Sequence, residues 1–220
     1  MADESKDHQV ELRAYVYIDQ MQPQFAAFGG SVVRGDPPVA GMAELYIEIA
    51  PGNQIFNIAA VALKSTQARP GSMVVEREFG FLELHARSQD DIREAGRAML
   101  DALGLEESSR TRPTVTSVQV ITNVDPYQAQ LINKFRRGGL IVAGETLLVL
   151  EVTPAAYITL ACNEAEKAAR VKIVEISPVG RFGRMFLTGS ESDAQVAKEA
   201  ALAAIERVRA ESGGAGSEAG

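Results

Sequence analysis

A chain of 220 residues has room for one large domain or two small ones, and 46% hydrophobic with 23% charged residues fits a soluble globular protein. A net charge of −7 excludes a global pull toward nucleic acid or an anionic membrane, and the single cysteine, Cys162, excludes an intrachain disulfide and fits a reducing cytoplasm. The opening MADESKDHQV has no signal-peptide pattern, and no apolar run approaches the ~20 residues that span a bilayer.

In chain order, residues 1–9 are polar and predicted to be unstructured. Leu12, Ala14, Val16 and Ile18 then alternate with polar or aromatic neighbours, the period-2 pattern of a half-buried strand. A Gly/Pro-containing loop, GGSVVRGDPP, leads to a second strand through Ala43, Leu45, Ile47 and Ile49. A helix follows, with Pro51 placed in its first turn, where a missing N–H costs nothing. Two short strands flank Phe79-Gly80, and the first of them, SMVVEREFG, ends in three charges. A last helix opens at Ser88-x-x-Asp91 and stops at Gly104.

The same order then repeats. VAGMAELYIEIAP (39–51) lies over VAGETLLVLEVTP (142–154), and the same offset carries Ala62, Lys64 and Phe79-Gly80 onto Ala165, Lys167 and Phe182-Gly183. Upstream, Asp19, Gln22 and Gln24 match Asp125, Gln128 and Gln130 at an offset three residues longer, which implies a longer loop in the first copy. In the second copy Val118, Val120 and Val124 form the first strand, Thr153 is the N-cap beside Pro154, and Ser192-x-x-Gln195 opens the last helix. The chain is a tandem duplication: domains at 10–104 and 115–210, a polar linker at 105–114, and an unstructured 211–220. Each copy is α+β, an antiparallel sheet with two Ala-rich helices on one face, a two-layer sandwich present twice.

The residues of catalysis are sparse. His8 and His85 have no cysteine near them, so no metal cluster can be written, and His85 reads as a strand-end surface residue. Cys162 reads as core filler. Gly30-SVVR-Gly35 has the spacing of a phosphate loop but continues Asp36-Pro37 instead of Lys-Ser/Thr. Lys134-Phe135-Arg136-Arg137 in an acidic protein reads as a loop or subunit contact. No catalytic residues, metal ligands or cofactors are expected.

The second copy, TLLVLEVTPAAYITLACNEAEKAARVKIVEISPVGRFGRMFLTG, resembles a bacterial-microcompartment shell domain. The strands RAYVYID and SVQVITN precede each copy, an order similar to that of the circularly permuted, tandem-domain shell proteins of ferredoxin-like type. The resemblance covers about 10–210. It implies a non-enzymatic shell tile in the bacterial cytoplasm, a homotrimer shaped like a hexagon, single or stacked in pairs. Its implied partners are itself, hexameric and pentameric shell proteins, and metabolites crossing a central pore. It further implies that Glu76 and Arg77 gate that pore, with Val179 and Gly180 at the corresponding positions of the second domain. Lys64 and Lys167 then lie at the tile edge. A small-molecule-sensing regulator built from duplicated ferredoxin-like domains is the alternative, with the VEREF loop as its effector site.

Overall fold

The computed structural model describes residues 10–213. The first sheet comprises β1 (Glu11–Ile18), β2 (Ala43–Ala50), β3 (Arg69–Glu76) and β4 (Phe79–Ala86), in the order β1-β2-β4-β3. The second comprises β5 (Thr114–Ile121), β6 (Thr146–Thr153), β7 (Lys172–Ser177) and β8 (Gly183–Gly189), in the order β5-β6-β8-β7. Every pairing is antiparallel. Helices α2 (Ile55–Ser65) and α3 (Gln89–Leu103) pack on one face of the first sheet, and α5 (Tyr157–Ala168) and α6 (Glu191–Glu211) on the second. Leu45, Ile47, Leu82 and Leu84 meet Ile58, Ala62, Ile92 and Met99 in the first core. Two tandem two-layer α+β domains result.

The segments between the first and second strands are not plain loops. They hold helices α1 (Pro23–Val32) and α4 (Pro126–Phe135), each opening on a proline. Asp125 caps α4 by accepting from the Tyr127 N–H at 2.8 Å. Gly29 and Gly30 hide α1 from a propensity reading; its Phe25, Ala26 and Phe28 are buried in a core shared with the second domain. These helices also correct the alignment of the copies. Pro23 stands where Pro126 stands, and the bulges at Leu12/Ala14 and Val115/Ser117 coincide at that same offset. One offset therefore serves both copies through their strands and first helices. The Asp/Gln matches at the longer offset are coincidental, and the first loop is not longer.

Other expectations shift by a few residues. Pro51 precedes a 3-10 turn, Gly52–Gln54, rather than sitting in α2, and Pro154 lies ahead of Tyr157. Thr153 ends β6, and Ala156 is the N-cap of α5. Val124 falls outside β5, beyond a turn at Asn123 (φ 52°). Ser88 caps α3 as expected, but α6 opens at Ser190, which accepts from the Asp193 N–H. Gly104 closes α3 at φ 65°. The polar linker carries a buried Arg110, bonded to the Tyr15 carbonyl, Glu107, Glu211 and Ser212, so it ties the end of α6 to the first domain. Of the unstructured ends expected at 1–9 and 211–220, all but 211–213 lie outside the described residues.

The second domain covers the face of the first sheet that α2 and α3 leave open. Ala14, Val16, Ile18, Tyr46 and Phe81 pack with Ile158, Ala161, Cys162 and Ala165 of α5. Cys162 is fully buried, and burial pushes its thiol well above the usual range. Glu166 accepts from the N–H groups of Gln24 and Phe25, and Asn163 from that of Gln22. Side chains of α5 thus cap α1 across the domain boundary.

Candidate functional site

Glu76 and Arg77 sit at the tip of the β3–β4 hairpin. Glu76 pairs with Phe79, so Arg77 and Glu78 form a two-residue turn. Arg77 has φ 55°, a left-handed conformation that favours glycine. In the second domain the residue at this position is Gly180, at φ 107°. Both copies therefore place a positive-φ residue at this position, and the first does so with a long cationic side chain. The Arg77 side chain is 91% exposed and Glu76 51%, and they approach only to 3.8 Å (Arg77 Nε to Glu76 Oε1).

A firm base carries this loose tip. The Gly52 N–H donates to the Glu78 carbonyl at 2.8 Å, and a Cβ on Gly80 would stand 2.3 Å from the Gly52 carbonyl oxygen. Glycine is needed there because two backbones touch. The Arg13 guanidinium covers the Phe79 ring at 3.7 Å and holds Glu48 at 2.8 Å, and Glu48 accepts the Ala156 N–H. Burial raises the Glu48 carboxyl above its ordinary value, against the pull of Arg13.

The second pore-loop candidate differs. β7 stops at Ser177, and the chain loops through 178–182 before β8. Val179 is half-buried against the core and Gly180 carries no side chain. The second loop carries one charge, the exposed Arg181 beside the Phe182 ring, where the first hairpin carries Glu76, Arg77 and Glu78. Lys64 and Lys167 are exposed in the last turns of α2 and α5, the latter 3.8 Å from Glu164. They stand away from the hairpin, on separate helices.

The remaining motifs are absorbed by the fold. Gly30 lies within α1, and Gly35 donates to the Gly71 carbonyl, where a phosphate loop would point its N–H at a ligand. Arg137 pairs with the buried Glu175, and Phe135 meets Phe186 edge to face at 5.3 Å. His85 is a correction: it is fully buried, bonded to Glu83 at 2.7 Å and to Asp36 at 3.2 Å. Its partners are a neighbour on its own strand and a residue from a distant loop, and only the latter is invisible to strand patterning.

Two tandem permuted α+β domains with a charged hairpin define a tandem-domain microcompartment shell protein. Residues 12–109 match the family model of the CsoS1D N-terminal domain. The chain is 51% identical over 199 residues to the carboxysome shell protein CcmP of Synechococcus elongatus, covering 90% of this chain and 93% of that one. It is 41% identical over 205 residues to the carboxysome shell protein CsoS1D of Prochlorococcus marinus, covering 93% and 80%. Among solved structures, the fused permuted hexameric shell protein of the RMM microcompartment superposes with a TM-score of 0.88 at 41% identity, covering 90% and 98%. The double ringed trimeric shell protein of the same microcompartment gives 0.87 at 33%, covering 90% and 97%. The chain belongs to this family of carboxysome and microcompartment shell proteins. It is a structural shell tile rather than an enzyme, which decides against the regulatory sensor.

Proposed function

We propose that three copies of this chain close into a ring whose axis is lined by the Glu76–Arg77 hairpins, which act as its gate. One observation carries the ring. Within the chain, α5 and the neighbouring α1 form the interface between the domains. Among the described residues, the corresponding surfaces at the two outer ends leave large apolar side chains exposed. On α2, Phe56 and Leu63 are exposed where α5 has Thr159 and Glu166. On α4, Leu131 and Phe135 are exposed where α1 has Phe28 and Val32. Each end thus offers half of an interface the chain already makes, and a head-to-tail contact that repeats a rotation closes a ring. A relative described as a double ringed trimer supports this, and supports stacking of two rings.

The gate rests on the hairpin. Three Arg side chains alone near an axis would repel, whereas Glu–Arg pairs between copies neutralise one another. A tip with a loose ion pair and a glycine-like backbone can exchange those pairs, while its base stays anchored. Metabolites are the cargo on this reading. Lys64 and Lys167 face neighbouring hexameric or pentameric tiles in the shell.

The native mass of the purified protein tests the ring. We expect three times 23.6 kDa, or six times for stacked rings. Leu63→Asp should reduce it to one chain without unfolding; a wild-type monomer over a wide concentration range would remove the axis and the gate with it.

A further inference from the structure

The junction between the two domains of one chain is polar along the first turn of α1. Asn163 of α5 accepts from the Gln22 N–H at 2.9 Å, and Glu166 accepts from the N–H groups of Gln24 and Phe25 at 2.8 Å. The Gln24 side chain also clips the edge of β7. It donates to the Val171 carbonyl at 2.7 Å and accepts from the Ile173 N–H at 3.3 Å. These bonds satisfy the start of a helix that has no side-chain cap of its own.

The outer ends of the chain carry the same positions with the opposite chemistry. At the offset that aligns the copies, Ala60 stands for Asn163 and Leu63 for Glu166, both exposed, so α2 offers neither acceptor. Pro70 stands for Ile173 and has no N–H to give. The backbones match there, since the Asp36 N–H donates to the Pro70 carbonyl as that of Gly139 does to Ile173. Tyr127, 77% exposed, stands for Gln24. The cap has moved into α4 itself. Asp125 stands for Gln22 and takes the Tyr127 N–H at 2.8 Å, the counterpart of the Gln24 N–H that Glu166 takes inside the chain.

These exchanges are concerted, and they make the two junctions incompatible. Against α5, the Asp125 carboxylate of α4 would meet that of Glu166 at one helix N-terminus, and like charges facing across an interface are strongly disfavoured. Against α2, the N–H groups at the start of α1 would face Ala60 and Leu63 without an acceptor. Only α1 on α5 and α4 on α2 leave neither fault.

We propose that the outer junction is a selective docking surface for a second copy of this chain in one order, second domain to first. Tyr127 seats against Leu63 and Pro70 of the next copy, and Asp125 bars α4 from the place of α1 on α5. The proposal rests on the ring reading and adds to it the residues that fix the domain order.

Native mass of full-length variants against concentration tests it, with folding checked by circular dichroism. Leu63→Glu places a carboxylate opposite Asp125 and should weaken assembly about a hundredfold or more. Adding Asp125→Gln rebuilds the inner arrangement at the outer junction and should recover about tenfold or more of that loss. Unimpaired assembly of Leu63→Glu, or no recovery in the folded double variant, would overturn the selectivity and leave the ring standing. A monomeric wild type would overturn both. If Leu63→Glu does not fold, Tyr127→Gln decides. Alone it should weaken assembly, and Pro70→Ile added to it should restore assembly by supplying the N–H that Gln24 finds at Ile173; no recovery would overturn the proposal.

Discussion

At the residue scale, Arg77 is a long side chain in a glycine's backbone conformation. Non-glycine residues hold the left-handed region at a cost of about 1 kcal/mol or more, highest for β-branched ones. Arg77→Val should therefore be less stable than Arg77→Gly by ~1–2 kcal/mol, measured by urea unfolding. Equal stabilities would mean that the turn relaxes freely and stores no preference. The buried acids make a second prediction. Burial, reinforced by the Glu83 carboxylate, pushes Glu44 well above its ordinary 4.5. Burial pulls His85 down, but hydrogen bonds and charge from Glu83 and Asp36 outweigh it and raise it above 6.5. In both cases the folded protein keeps a proton that the unfolded chain has lost. Their stabilisation is complete below those unfolded values and is lost as pH rises through the folded ones. Denaturation midpoints should thus fall as pH rises above 4.5. Glu44→Gln should flatten that fall, and an unchanged profile would show that Glu44 is ionised throughout.

At the element scale, α1 illustrates a helix made by its surroundings. It lacks a side-chain cap of its own and contains two glycines. Its exposed N–H groups are met by Glu166 and Asn163 of α5. Glu166→Ala should cost about 1–2 kcal/mol, the usual worth of a cap, seen as a lower urea midpoint. No change would indicate that water replaces the carboxylate. The strands were legible because the period-2 alternation in β1 and β2 is strong, and the Ser88 and Gly104 signals of α3 were legible because capping is local. Helix α1 was not, because its stability comes from packing and from caps supplied by α5; α4 does carry a local signal, Asp125-Pro126 at its start. Thr153 and Ser192 were also misassigned. At α6 several polar residues cluster, Ser190 to Asp193, and only backbone geometry selects the cap; at α5 the helix begins three residues after Thr153, at an N-cap, Ala156, that makes no side-chain bond.

At the scale of the whole molecule, the outer ends of the chain repeat the surfaces of its own domain junction. The proposed gate rests on the proposed ring, which would bring the hairpins to its axis. Glu76→Ala with Arg77→Ala should keep the native mass of the ring while widening its opening, read by structure determination of the double variant. Loss of the ring in that variant would assign the pair a structural role instead. Glu48 and Glu151 show the same asymmetry in small. Glu48 is covered by the second domain, and burial raises it. Glu151 lies at the corresponding place of the second sheet; its slight burial is outweighed by Arg184 and Thr116, which lower it.

The amino-acid order by itself determined the duplication, the α+β class, the strand pattern and the charged hairpin. Each of these is written in local periodicity or in a repeat that needs no partner. Only the tertiary structure decided the true offset between the copies, the existence of α1, and the burial of His85. The same holds for the buried pair Glu44 and Glu83. Their causes are contacts between residues far apart in the chain: Glu166 with Phe25, Asp36 with His85, and the second domain with the first sheet. Such contacts set burial and capping, which no local pattern records.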